Sequence, residues 1–321
     1  MYDITALGEI LIDFTMQGRN AQGQRVFAQN AGGAPANVAA AMAKLGANTA
    51  FIGKAGNDMH GQFLKETLNK VGIDSSGLTL SNEYFTTLAF VDINDNGERE
   101  FSFARNHGAD KMLEIGDIPT ELIANSRILH IGSISLTDDP CRSATMFAVE
   151  SAKKSGCIIS YDPNYRASLW KSEDSAKKQM REMIGSVDVM KISDEETALL
   201  TDNENHERAA EHLIAKGVKI AVVTLGKTGA YVRTQNGGEV VKGFKNKALD
   251  ATGAGDAFWG GFLYCLARSG KSPTEVSLTE AVRFTDFGNA VASVCVENYG
   301  AIPAMPSMEQ VQDKLKEERQ A

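Results

Sequence analysis

Asp250-Ala251-Thr252-Gly253-Ala254-Gly255-Asp256 runs directly into Ala257-Phe258-Trp259-Gly260-Gly261-Phe262-Leu263. The apolar run reads as a helix. Its preceding small residues therefore sit at a helix N-terminus, where open backbone N–H groups and the helix dipole attract an anion. Gly253 and Gly255 carry no side chain, so a ligand can come close to the backbone. Asp256 falls on the first turn, beside that anion. A carboxylate there is a poor phosphate binder but is well placed to take a proton from an attacking hydroxyl. The combination points to phosphoryl transfer.

Outward from this loop, short β-branched runs alternate with helical patterns. Residues 4–7, 49–53, 128–131, 157–161, 187–192 and 220–225 read as buried strands, and 35–45, 61–71, 141–155, 172–184 and 205–216 as helices. Alternation with short connections predicts an α/β fold with a largely parallel sheet covered on both faces. Two segments break the rhythm. Residues 12–31 are polar, and 84–104 read as a hairpin turning at Asn94-Asp95-Asn96-Gly97, where Asn-Gly suits positive φ. Together they could build a small projecting sheet, or 84–104 could be a plain surface hairpin.

Composition narrows the function classes. The 321 residues are 43% hydrophobic and 23% charged, as in ordinary globular chains, and the net charge of −8 opposes broad nucleic-acid or anionic-membrane binding. No signal peptide and no apolar run of transmembrane length is visible. Cys141, Cys157, Cys265 and Cys295 are widely spaced and read as reduced cytosolic thiols. The five histidines form no metal-binding cluster.

Further motifs are ambiguous one at a time. In Ala31-Gly32-Gly33-Ala34-Pro35-Ala36-Asn37, Pro35 suits a first helical turn and Asn37 offers a donor and an acceptor for a sugar hydroxyl. The same pattern fits a glycine turn before an alanine-rich core helix. No GxGxxG follows the first strand, which weakens a dinucleotide reading. Gly226-Lys227-Thr228 is no Walker loop, because Ala221 stands at the required upstream glycine. Thr224 to Gly229 is a strand ending in a glycine turn, either a nucleotide-pocket wall or simply a hairpin. Ser193-Asp194-Glu195-Glu196 fits acidic groups holding hydrated magnesium, and equally a Ser-x-x-Glu capping box. Arg105 and Arg166 each follow a strand, where an anionic or polyhydroxylated ligand could lie.

Taken in order, these motifs resemble the ribokinase-like, or PfkB-type, carbohydrate kinases. Gly32-Gly33, Asn37, Ala39, Gly46 and Gly56 match the family's N-terminal signature, and Gly253-Ala254-Gly255-Asp256 its C-terminal one. The resemblance spans Ile4 to Pro306. It implies a three-layer α/β fold with a mostly parallel central sheet, helices on both faces and a small projecting β-sheet lid. The kinase domain would cover 1–310, with the lid from 12–31 and 84–104 and a C-terminal helical tail at 311–321.

The resemblance also assigns roles. Asp256 becomes the base that activates the sugar hydroxyl, and the amides of Gly253, Ala254 and Gly255 the anion hole. Asp13, Gly32, Gly33, Asn37, Arg105 and Arg166 become sugar-binding positions. Ser193, Thr224, Gly226, Gly229 and Asn289 fall to ATP, and Glu196 to magnesium (Mg2+) through water. Asp250, Thr252, Asn298 and Gly300 match a potassium (K+) site found in many members. Three positions depart from the pattern: Ser193 replaces an asparagine, Ala251 a threonine, and Ala304 lacks a hydroxyl that some members supply near potassium.

The segments 103–110 and 162–170 are similar to those of fructokinases, so D-fructose is the expected substrate. 2-Keto-3-deoxygluconate kinases share the Asn-Tyr-Arg and Leu-Trp elements and are the alternative, ahead of ribokinases and aminoimidazole riboside kinases. A catalytically silent sugar-binding regulator is the reading from another class, opposed by retention of Asp256 and its glycine loop. The expected enzyme is cytoplasmic, and family lids often pair subunits into homodimers.

Overall fold

Strands form where β-branched residues run together, and a helix returns the chain after most of them. The computed structural model describes residues 1–93 and 99–320. The first part of the chain contains β1 (Tyr2–Leu7), β2 (Leu11–Arg19), β3 (Arg25–Gly32), α1 (Ala34–Lys44), β4 (Thr49–Gly56), α2 (Met59–Lys70) and β5 (Ile73–Ser81). Next come β6 (Leu88–Ile93), β7 (Arg99–Ala104), α3 (Thr120–Ala124), β8 (Ser126–Ile131), α4 (Cys141–Lys154), β9 (Ile158–Tyr161) and α5 (Glu173–Ile184). Then follow β10 (Val189–Ser193), α6 (Thr197–Thr201), α7 (His206–Ala215), β11 (Ile220–Thr224), β12 (Gly229–Thr234) and β13 (Gly237–Lys242). The chain finishes with α8 (Ala254–Ser269), α9 (Leu278–Cys295) and α10 (Met308–Gln320).

The main sheet has nine strands in the order β13-β12-β11-β10-β9-β8-β1-β4-β5. Pairing is parallel from β5 through β11, and antiparallel only where β12 and β13 extend the edge. Strand alternation sorts the side chains into two layers. Ile220 and Val222 join the core that holds Trp259 and Phe262 of α8, whereas Ala221 and Val223 join the core with Met180 of α5 and Leu213 of α7. Each large apolar side chain fully buried this way contributes roughly 1.5–3 kcal/mol, against about 0–1 kcal/mol for a surface ion pair. The two cores therefore hold the sheet edge steady, and the site is built on that edge.

The strands and helices expected from periodicity are present within a few residues. β5 was not expected, because its Ile73, Gly77 and Leu78 are interleaved with Asp, Ser and Thr. The C-terminal helix begins at Met308, ahead of the expected 311, and buries Val311 completely against the core beside α1 and α2.

The two segments that break the rhythm form a second sheet, in the order β3-β2-β6-β7. Its hairpins β2–β3 and β6–β7 are antiparallel, and the two are joined by parallel pairing of β2 with β6. Phe14 stacks on Phe90 at 5.4 Å between ring centroids, and Phe27 meets Phe90 edge-on at 5.9 Å. The expected turn at Asn94-Asp95-Asn96-Gly97 lies outside the described residues.

Candidate active site

The α8 N-terminus is built for a ligand. Gly253 adopts φ 75 there, a left-handed conformation suited to glycine, and a Cβ at this position would stand 3.0 Å from the Ala301 Cβ. Its N-cap is Gly253, which has no side chain to cap the helix, so the first amides are open to another acceptor. The Ala254 N–H closes on the Ala251 carbonyl at 3.2 Å, the long end of the hydrogen-bond range. Asp250 fixes the loop: its Oδ1 accepts the Thr252 N–H at 2.8 Å and its Oδ2 the Gly300 N–H at 2.9 Å.

Asp256, on the first turn, is only 6% exposed. The Asn37 Nδ2 donates to its Oδ2 at 2.7 Å, which ties α1 to α8 across 219 residues of sequence. Burial pushes the carboxyl above its ordinary range, and Asn37, Lys191 and Arg166 pull the other way without cancelling it. The result is a buried, oriented carboxylate with raised proton affinity next to open helix amides. That is what a general base beside a transferring anion requires.

Two cavities meet at this loop. The first, of ≈ 250 Å3, is the more polar of the two, with Glu9, Asp13, Gly33, Asn37, Arg166 and Asp256 on its wall. The glycine pair before α1 has a physical reason. Gly33 has φ 115, and a Cβ there would meet the Glu9 carbonyl oxygen at 2.3 Å; at Gly32 it would meet an Asp13 carboxylate oxygen at 2.1 Å. The glycines thus admit two protein groups, the segments carrying Glu9 and Asp13, and these shape the cavity.

The second cavity, of ≈ 290 Å3, opens on the other side. It brings together Thr224, Gly226, Gly229 and Asn289 with Ala254 and Gly255, and Phe244, Phe258 and Val296 give it an apolar surface. Asn289 donates to the Val241 and Lys242 carbonyls at 3.2 and 3.1 Å, anchoring α9 to β13. Ala251 lines both cavities, and Gly253 to Asp256 form the partition. A third cavity of ≈ 250 Å3 adjoins the first and includes Asp13, Asp250, Thr252 and Gly300.

Five expected residues lie off these walls, and Gly32, next to the lining Gly33, is the first of them. Arg105 is 6% exposed and directs its guanidinium to Asp110 Oδ2 (2.7 Å), Thr137 Oγ1 (3.2 Å) and the Ile134 carbonyl (3.3 Å). It braces the polar cavity from behind through Ile134, which does line it. Ser193 and Glu196 form the capping box: Glu196 accepts the Ser193 N–H at 2.8 Å and also the Tyr165 N–H at 2.7 Å, so it joins two strand ends. Asn298 donates to the Val294 carbonyl at 3.2 Å, closing the end of α9.

Two buried groups beside Asp256 were not singled out by sequence reasoning. Lys191 is 5% exposed and pairs with Asp162 at 2.8 Å, and a Cβ on Gly255 would stand 3.0 Å from its Nζ. Burial works to strip its proton, but Asp162 and then Glu196 outweigh burial and leave its pKa raised. A fixed positive charge therefore sits against the α8 N-terminus. The signal was a lone lysine inside the apolar strand Val-Met-Lys-Ile-Ser, since lysine is almost never fully buried unpaired. Glu9, 2% exposed, ends the first strand's run, where α/β sheets bind ligands.

Comparison with known proteins fits this geometry. The pfkB family carbohydrate kinase profile matches residues 1–308. Fructokinase-2 of Oryza sativa subsp. japonica is 40% identical over 316 residues, covering 97% of this chain and 93% of that protein. Among solved structures, the ATP-bound fructokinase of Xylella fastidiosa superposes with a TM-score of 0.92 at 30% identity, covering 99% of this chain and 100% of that one. A fructokinase double mutant of Vibrio cholerae O395, in a form with fructose, ADP and potassium ion bound, gives 0.88 at 32% identity, covering 98% of each chain.

Proposed function

The chain belongs to the pfkB family of carbohydrate kinases, and on that premise we propose that it phosphorylates D-fructose with ATP, giving fructose 6-phosphate and ADP. The observation that carries the reading is the partition between the cavities. A buried carboxylate and the uncapped start of α8 stand between a polar space fit for hydroxyls and a partly apolar one fit for a nucleotide base. The 40% identity to a plant fructokinase and the fructose named for the bacterial neighbour support fructose as the acceptor.

In this mechanism the sugar's terminal hydroxyl lies against Asp256. Its oxygen forms a bond to the γ-phosphorus while the bond from that phosphorus to the bridging oxygen of ADP breaks. Asp256 takes the hydroxyl proton. Little covalent work falls to the protein, so catalysis comes from positioning and from charge stabilisation at the amides of Gly253 to Gly255, with Lys191 adding a fixed positive charge. Asp256 need not be a strong base beforehand, because the hydroxyl becomes acidic as the new P–O bond forms.

Magnesium, when bound, neutralises charge on the phosphates. Both Glu196 oxygens already accept backbone N–H bonds, so this residue suits contact through a metal-bound water rather than direct ligation. No cluster of three or more His, Cys, Asp or Glu suited to a metal occurs among the described residues. For potassium, Asp250 and the loop it ties to Gly300 provide the matching segment, and potassium is named for the Vibrio neighbour. The second sheet would act as the lid, excluding water over bound sugar and pairing subunits, in a cytoplasmic enzyme.

Steady-state kinetics on fructose, 2-keto-3-deoxygluconate, ribose and an aminoimidazole riboside, with and without potassium, tests the proposal. The expected result is the highest kcat/KM with fructose. A higher value with the sugar acid reassigns the substrate, and no turnover with any of them removes the kinase reading.

A further inference from the structure

Glu9 carries a feature that the proposed chemistry does not use. Its Oε1 accepts the Ala34 N–H at 2.9 Å, which fixes the carboxyl plane against the first turn of α1. Its Oε2 is fully buried and has no hydrogen-bond partner among the described residues. The same holds for the Oδ1 of Asn37, one turn further along α1, and both residues line the polar cavity. An unmatched buried acceptor is costly, so a site that keeps two of them on one wall is shaped for a ligand that donates. Fructose, on which this inference rests, is rich in such donors.

Position on α1 separates the two carboxylates. Glu9 is anchored at residue 34 and Asp256, through Asn37, at residue 37, about 4.5 Å further along the helix axis. A hydroxyl has a single proton to donate, so one hydroxyl cannot serve both as donor. We propose that Glu9 Oε2 accepts a hydrogen bond from a fructose hydroxyl other than the one phosphorylated, and so orients the sugar with its reacting end toward Asp256. Burial pushes the Glu9 carboxyl up to about 7, with Arg105 nearby opposing the rise. A hydroxyl donating to Oε2 favours the ionised form and offsets that burial.

The test pairs E9Q with a series of deoxyfructoses. Glutamine can keep the Ala34 bond through its carbonyl, but it places an NH2 where Oε2 stood. In the wild type, removing the contacted hydroxyl should lower kcat/KM about tenfold or more, the range of a hydrogen bond to a charged group. In E9Q, KM for fructose should rise by a similar factor, KM for ATP should stay within about twofold, and the penalty for that same deoxysugar should disappear. A structural role alone would not erase the penalty at one hydroxyl. E9D, which withdraws the carboxylate but keeps its charge, should also raise KM for fructose and provides the second variant if E9Q folds poorly. Unchanged fructose KM, or the same deoxysugar penalties in variant and wild type, overturns the inference. If the wild type prefers another sugar, the fructose reading fails separately, and the same comparison with deoxy forms of that sugar decides the role of Glu9.

Discussion

Replacing Asp256 by asparagine separates the chemistry of this carboxylate from its structural role. The Asn37 Nδ2 that donates to Oδ2 at 2.7 Å can donate equally to an amide oxygen, so the tie between α1 and α8 survives. The replacement also removes a buried negative charge whose proton affinity burial has already raised. D256N should therefore fold with unchanged or slightly higher stability, and its affinity for ATP should stay near that of the wild type. Only the acceptor for the sugar's proton is lost. General-base assistance is typically worth about 10²–10⁴-fold, equivalent to about 3–5 kcal/mol of barrier, and kcat should fall by that factor. Some rate should persist, because the uncapped amides of α8 and the Lys191 charge are untouched. The assay is coupled detection of ADP release with fructose, alongside calorimetric ATP binding and thermal unfolding. A kcat within about threefold of wild type would refute Asp256 as the base. A collapse in stability with the same loss of rate would show that the carboxylate holds the fold.

Three further outcomes follow from the same geometry. K191M strands the buried Asp162 carboxylate beside Glu196 and should destabilise the protein by about 3–5 kcal/mol in urea unfolding, with much of the loss recovered in K191M/D162N; a single variant within about 1 kcal/mol of wild type contradicts the pairing. G253A forces a side chain into a left-handed turn, at a cost of about 1–2 kcal/mol, and pushes against Ala301, so lower stability should accompany a kcat loss of about tenfold or more; wild-type kinetics would show that the turn does not shape the anion site. Glu9 titrates in the folded protein near 7 against an ordinary 4.5, so the folded state holds its proton more tightly than the unfolded one. That contribution is greatest below 4.5 and is lost as pH rises through 7, so between pH 5.5 and 8 the wild type should lose on the order of 2 kcal/mol relative to E9Q. Parallel stability profiles for the two proteins would remove Glu9 as the cause.

Much of the site was legible because it rests on backbone chemistry that leaves a mark in sequence. Glycines with positive φ, a helix start after small residues and a carboxylate on its first turn are local facts, and residues 250–256 and 32–37 fold as read. The glycine pair before α1 is a point of close approach. What approaches, however, is Glu9 and Asp13, and nothing near residue 32 says so. Arg105 shows the opposite failure: an arginine after a strand looks like a ligand for substrate, but Asp110, five residues on, and Thr137 draw it behind the wall.

The sequence alone determined the alternation of strands and helices, the two segments that break it, and a glycine-rich helix start with a carboxylate on its first turn. Each follows from periodicity or from residues a few positions apart. Tertiary structure alone decided which polar and charged groups meet. Asn37 reaches Asp256, Lys191 reaches Asp162, and Glu9 caps the start of α1, all across gaps from 25 to 219 residues. The physical reason is the parallel sheet. It lines up the carboxyl ends of β1, β8, β9 and β10 along one edge near the N-termini of α1 and α8, so residues remote in sequence share one low-dielectric space.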